Sequence, residues 1–582
     1  MNKTLISISI TTILFLAGLS TGLAVKNTPA IIYVDDDNIS GPWLGTADFP
    51  YRYIQYAVEN ASDGDTIRVY EGVYANPCNN VYITKKLSII GNGSDNTHVN
   101  RTVTISSNDV FFCGFTINGC DFRTGKETCC MRLEDVNDCY IKNNSMTTDL
   151  CGLELYNSHD NKIENNTIVD TKEDKPGIYV HSSNNNIISG NNFDSCEIGI
   201  YSDHCQNNII DYNHFNCCNY SIYFIFSDFC KIINNIIEKG KAAVSICSNS
   251  NSTIIGNVIR EFNEGLFISS SNRTSIINNH FLNNSVFGLK VDASKNIIYD
   301  NIFINNSWRG MSLTGSENVI SGNYFLNNNG SGISMTGSYN TILDNTFLNN
   351  SGDGILLGSS CHHNTFTCNN FYNNEVGICY DYSSYSWDFS DNSRSDITRN
   401  NFSHNEVGIE LENSSLYTIT GNTISNNTYG IIMKGCKRNT ISYNKISSNS
   451  YDGIIFYPIF RGVPWATVYH YPFRGNKIIR NIISNNGENG ILLSDYGRYW
   501  NFRYCFSSRG NLILENNFVN NKKDAFIINA FFNRWYRNYW NQGRLLPITI
   551  SGIFKITYII SKEIPWFSID WRPALKKYDI EV

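Results

Sequence analysis

An asparagine followed by any residue and then Ile or Phe recurs at a constant interval, at positions 213, 235, 257, 279, 301, 323 and 345. The register continues more loosely through Asn369, Asn400, Asn422, Asn444, Asn481 and Asn516. A second track, Gly before an apolar residue, runs through Gly265, Gly288, Gly310, Gly332, Gly354 and Gly377. A fixed period of this size means one structural unit stacked on copies of itself, so the usual length-based estimate of domain number does not apply to these 582 residues.

Within one period the apolar residues form short groups, as in Val319-Ile320, Tyr324-Phe325 and Ile333-Ser334-Met335, separated by Asn, Gly and Ser. Such short groups with turn residues between them are strands, and no room is left for an ordinary helix. Three strands per 22-residue coil predict an all-β chain, a parallel β-helix with neighbouring strands about 4.8 Å apart. Asn tolerates the left-handed backbone of a sharp corner, and stacked Asn side chains can bond up the solenoid as an amide ladder. The recurring Asn is therefore expected to be structural.

The ends break the pattern. Ile54, Ala57 and Val58 sit at helical spacing before the Asp63-Gly64-Asp65 turn and a strand over 66–70, which predicts a helical cap over the first coil. The expected organisation is a leader at 1–24, an N-terminal cap and first coils at 25–100, repeats at 101–523 and an aromatic C-terminal cap at 524–582. The apolar run from Leu545 to Ser561 contains Pro547, Gly552 and Lys555 and reads as a cap hairpin, so no transmembrane span is expected in the mature chain. Asp35-Asp36-Asp37 reads as a capping turn.

Lys3, an apolar run from Leu5 to Leu19 and the small residues up to Ala24 have the layout of a secretory signal. Sequons at Asn38, Asn92, Asn219, Asn272, Asn329, Asn401 and Asn413 agree with export, as do the 18 cysteines. The expected location is secreted or cell surface. Charged residues make up 17% of the chain and its net charge is -7, which leaves no basic stripe for a nucleic acid.

The segments "IYVDDDN" and "YIQYAVENASDGDTIRVYEGVY", the rungs "NTILDNTFLNNSGDGILL" and the late "NYW" resemble the right-handed parallel β-helix proteins of the pectin-lyase-like superfamily, most of all the NosD-like group. The resemblance implies that fold over nearly the whole chain. For function it implies a range that includes polysaccharide lyases, glycoside hydrolases, epimerases, adhesins and copper-site maturation. The aspartate- and glycine-rich run that follows "NYW" in NosD-like proteins is absent after Trp540, and the hydrolase signatures are absent from the rungs.

Three insertions break the period after equivalent strands, at 379–396, 456–475 and 494–510. They are expected to leave one side of the solenoid and to span about 20 Å of it. Their aromatic, Arg and Asp content suits sugar recognition, with Trp387, Trp465, Tyr499, Trp500 and Arg503 as ligand-binding candidates. Asp381, Asp388, Asp391, Asp396 and His470 are the acid, base or calcium candidates. The alternative is a satellite core, in which the loops pack on the solenoid wall.

A 22-residue shift places Cys129 beside Cys151, and the match of Phe193 with Phe215 places Cys196 beside Cys218, which suggests two inter-coil disulfides. His181, His204, Cys205 and His214 gather within two coils as a copper or zinc set, without a standard zinc spacing. Three functions remain open: a monomeric carbohydrate-binding or structural scaffold for a surface glycan, a polysaccharide lyase or hydrolase, and a NosD-like copper-site maturation factor. Calcium would serve the second and copper the third.

Overall fold

The computed structural model describes residues 28–75, 80–119, 129–148, 150–172, 175–380, 394–461, 469–495, 508–556 and 562–582. The leader and most of the lateral insertions lie outside the described residues. The chain winds as a parallel β-helix of about 20 turns, each about 22 residues long. One coil contributes a short strand such as Val319–Ser321, a second such as Tyr324–Leu326, and a third, usually longer, such as Arg309–Thr314. Each pairs in parallel with its equivalents one coil before and after.

Stacked side-chain columns fill the interior, two of them from the short strands. Phe281, Phe303, Phe325, Phe347, Phe371 and Phe402 stack with ring centroids 4.6–4.9 Å apart and nearly parallel planes. Aliphatic residues such as Ile276, Ile298, Ile320 and Ile342 form another column, all fully buried. Because strand side chains alternate between faces, a one-residue slip would turn these columns out into water, which fixes the register.

The recurring Asn residues form the expected ladder. Asn301 Nδ2 donates to Asn323 Oδ1 at 3.0 Å, and Asn323 repeats the bond to Asn345. The ladder reaches from Asn144 to Asn538. These residues do not adopt the left-handed backbone. That conformation falls on the residue just before each, as at Asn278, Asp300, Gly322 and Asp344, with φ between 52° and 66°. Corner geometry and side-chain bonding are thus divided between adjacent positions. A second ladder passes through Asn284, Asn306, Asn328 and Asn350 at the next corner.

The N-terminal cap contains the one helix among the described residues, Ile54–Asn60, which buries Ile54, Ala57 and Val58 against the first coil. The acidic triplet forms a turn: Asp36 Oδ2 accepts from Val73 N at 2.9 Å and Asp35 Oδ1 from Asp37 N at 3.0 Å. At the other end the coil pattern continues past residue 524, through Lys523–Ile528, Arg534–Tyr536 and Tyr539–Trp540. An antiparallel hairpin of Ile548–Ile556 and Lys562–Asp570 then closes the solenoid. Asp570 ends the Asn ladder by accepting from Asn538 N and Nδ2 and from Trp540 Nε1. Among the described residues no helix is long and apolar enough to cross a membrane.

Candidate functional site

The long strands present every second side chain to solvent, and strand pairing lines these up in rows. One outward row reads Arg132, Glu154, Tyr179, Tyr201 and Tyr223. The three tyrosine rings follow one another at 5.3 and 5.4 Å. Two residues further along each strand, a second row reads Tyr156, His181 and Asp203. Tyr156 stacks on His181 at 5.5 Å.

Asp203 joins two imidazoles. Its Oδ2 lies 3.3 Å from His181 Nδ1 and its Oδ1 lies 2.5 Å from His204 Nδ1. His204 holds a left-handed turn, φ 53°, with its ring 5.0 Å from Phe226. With Nδ1 of each ring facing the carboxylate, Nε2 is the nitrogen left to meet a ligand. Burial, with the Asp203 charge adding to it, pushes the Tyr179 phenol up to about 12, and the same two causes raise Tyr201. Both phenols stay protonated at neutral pH and can donate to a hydroxyl or carboxylate. Further up the row Arg132 engages Glu154 Oε2 through Nε and Nη2, at 3.0 and 2.8 Å.

The four proposed metal ligands do not converge. His181 and His204 meet at Asp203, but the Cys205 side chain is inside the solenoid, with Sγ on the carbonyls of Val180 and Asp203 at 3.4 and 3.2 Å. Burial raises its thiol pKa, which disfavours the thiolate a metal would need. His214 starts a short strand of another sheet and faces Glu238 at 3.5 Å. Among the described residues no group of three or more His, Cys, Asp or Glu side chains could hold a metal ion.

The cysteine register agrees with the sequence, since Cys129 pairs with Cys151 and Phe193 with Phe215. The disulfides are absent: Cys129, Cys151, Cys196 and Cys218 are free thiols. In-register residues of parallel strands point their Cβ atoms along parallel lines, whereas a disulfide needs them to converge to about 3.8 Å. Cys129 bonds to Glu154 Oε2 at 3.6 Å and Cys151 to the Leu153 carbonyl at 3.4 Å, while Cys196 and Cys218 hydrogen-bond to each other as thiols.

Asp396 opens a short strand between Thr365 and Thr418 and is exposed. His470 lies on the hairpin formed by Ile459–Arg461 and Tyr469–Tyr471, opposite Phe460. Asp381, Trp387, Asp388, Asp391, Trp465, Tyr499, Trp500 and Arg503 lie outside the described residues. The insertions follow Val376–Tyr380, Ile454–Tyr457 and Asn489–Ser494, which belong to one column of long strands. There the outward positions Cys379, Ile432 and Ile455 are buried, and Leu356, Tyr457 and Leu492 pack against their cluster. This part of the sheet carries an apolar cluster on its outer side, the arrangement that a satellite core requires.

Asp203 and the tyrosine row were not among the sequence candidates, although the signal was present. Tyr179, Tyr201 and Tyr223 are spaced by the coil period, as are His181 and Asp203.

A family model described as periplasmic copper-binding protein (NosD) matches residues 53–229 and 384–552, and one for a right-handed β-helix region matches 199–339 and 314–393. No curated protein matches the chain. Among solved structures, the pre-mature gene product 12 of bacteriophage phi29 is similar over 86% of this chain and 71% of its own, with 12% identity and a TM-score of 0.47. The mannuronan C-5 epimerase AlgE6 A-module of Azotobacter vinelandii aligns over 81% and 89%, with 12% identity and a TM-score of 0.21. An alginate lyase from Paenibacillus sp. str. FPU-7 aligns over 50% and 91%, with 14% identity and a TM-score of 0.25. Likenesses this distant leave function to the residues of this chain.

The family description implies copper, and the described donors do not fit it. Cys205, the thiol beside His204, is buried with its pKa raised, and among the described residues no group of three or more His, Cys, Asp or Glu side chains could hold a metal ion. With the family model matching over half of its length, the chain belongs to the right-handed parallel β-helix family described as periplasmic copper-binding protein (NosD).

Proposed function

We propose that this protein is an extracytoplasmic scaffold that binds a polysaccharide along the outer face of its long strands. The observation that carries the reading is the row Tyr179, Tyr201 and Tyr223, which repeats at one ring per coil with neutral phenols along its edge. Aromatic faces with adjacent hydrogen-bonding groups are what a sugar ring needs from a protein. Trp387, Trp465, Tyr499, Trp500 and Arg503 of the lateral insertions, which leave the same column of long strands several coils farther along, would make a separate contact. The secretory layout of residues 1–24 and the periplasmic description of the family support a location outside the cytoplasm.

The test is retention of the full chain on immobilised neutral and acidic polysaccharides, with and without calcium, and depolymerisation assayed in the same samples. Retention that falls at least tenfold in Tyr179→Ala/Tyr201→Ala supports the reading. Equal retention of the variant and the parent refutes the placement of the site.

One observation favours cleavage as a second reading. Asp203 orients two imidazoles beside the protonated Tyr179, a set able to move protons between a base and an acid. Under that reading new reducing or unsaturated ends appear, and they disappear in His181→Ala or His204→Ala. Copper handling is not proposed, because the described donors do not assemble.

A further inference from the structure

The last coil carries a second surface with different chemistry. Two adjoining cavities of about 680 and 550 Å³ share Tyr536 and Arg537 in their walls. The strand Arg534–Tyr536 forms the floor, between Leu512–Leu514 on one side and the closing strand Lys562–Asp570 on the other. After Asp570 the chain folds back over this end and is pinned to it. Ala574 N donates to the Asn538 carbonyl, Tyr578 N to Asn517 Oδ1, and Tyr578 Oη to the Arg537 carbonyl at 2.7 Å.

The walls are cationic in a chain whose net charge is -7. Arg534, Arg537, Arg572, Lys576 and Lys577 line the two cavities, against Glu515 as the acidic residue among the lining. Glu515 is already held by Arg480 at 2.8 Å and Arg537 at 3.4 Å. Arg572 lies over the Tyr536 ring and donates to its hydroxyl at 3.2 Å.

A further feature points to a ligand. Trp571 lines the larger cavity and remains 66% exposed, a ring face open for stacking.

We infer that this cleft is a binding site for the carboxylates of an acidic, uronate-containing polysaccharide. Guanidinium groups match carboxylates as paired donors, and indole and phenol faces match the apolar faces of sugar rings. The inference takes its ligand class from the polysaccharide reading and places the site elsewhere on the molecule.

The experiment titrates the full chain with polygalacturonate, a neutral glucan and a single-stranded DNA oligonucleotide, following tryptophan fluorescence and calorimetry. Arg534→Gln/Arg572→Gln and Lys576→Gln/Lys577→Gln change exposed side chains, and their folding is checked by thermal melting. Each is expected to weaken polygalacturonate at least tenfold without changing the neutral glucan, and added salt should weaken the parent in the same direction. Polygalacturonate affinity that survives in both folded variants overturns this site while leaving glycan binding by the tyrosine row intact. DNA bound more tightly than polygalacturonate overturns the assignment of the ligand. Absence of binding to either polysaccharide overturns both this inference and the polysaccharide reading.

Discussion

Replacing Asn323 by Ala removes one rung from the middle of the amide ladder. Asn323 Oδ1 accepts from Asn301 N at 2.9 Å and from Asn301 Nδ2 at 3.0 Å. Its Nδ2 donates to the carbonyls of Ile298 and Ser321, both at 2.9 Å, and to Asn345 Oδ1 at 3.0 Å. Some of these partners keep a second bond: Asn301 Nδ2 still reaches the Ile276 carbonyl, and Asn345 Oδ1 still accepts from the backbone of residue 323. The backbone N–H of Asn301 loses its acceptor in a fully buried place. An orphaned buried donor costs about 1–3 kcal/mol and the other bonds less each, which gives about 4 kcal/mol in total. In a solenoid the damage stays with the adjoining coils. Hydrogen exchange read by mass spectrometry should therefore speed up in peptides over 297–304 and 319–326 and remain unchanged over 140–170. Asn327→Gly is the control, since that residue is exposed with φ 53°, and its effect should stay within about 0.5 kcal/mol. A loss below about 1 kcal/mol for Asn323→Ala, or exchange rising evenly along the chain, would refute this account of the ladder.

Two other outcomes test the ends and the interior. Asp570→Ala removes the carboxylate that accepts from Asn538 and Trp540, so limited proteolysis should cut first within the closing hairpin while the central coils persist. Burial pushes the thiols of Cys230, Cys361 and Cys436 from 9.0 up to about 12. An acid held neutral by folding stabilises fully below its unfolded pKa, and that contribution is lost as pH rises from about 9 toward 12. Melting temperature should fall over that window and fall less in a Cys361→Ala/Cys436→Ala variant; identical alkaline profiles would count against it.

The fold was legible because the period is carried by residues whose roles are purely local. An Asn once per period suffices to predict the ladder, and the Phe column follows from the same shift. The left-handed corner was assigned to the wrong member of each pair because both functions suit Asn, and only backbone angles separate Gly322 from Asn323. The site was less legible for a geometric reason. His204 and His214 are close in sequence, yet the chain between them turns a corner to another sheet. His181 and Asp203 are one period apart in sequence and adjacent in space. Proximity in this fold is measured modulo the coil length, so clusters read along the sequence mislead while clusters read across the period do not. The lateral insertions have no period at all, which removes the ruler that located everything else.

The same ruler makes a prediction about the proposed glycan. The outward row changes character from coil to coil: the Arg132–Glu154 pair, then Tyr179, Tyr201 and Tyr223, then farther along the buried Cys379, Ile432 and Ile455. A linear glycan lying along the solenoid axis meets one tyrosine per coil, in steps of 5.3 and 5.4 Å, close to the spacing of the strands themselves. Affinity should then rise with oligosaccharide length until the chain spans all three rings, and level off beyond. Each stacked ring is worth on the order of 1 kcal/mol, or about fivefold in affinity. Tyr201→Ala should flatten the rise in the middle, because the outer rings can no longer act on one continuous stretch. A monosaccharide that binds as tightly as a hexasaccharide would place recognition at a single pocket and exclude the row as the contact surface.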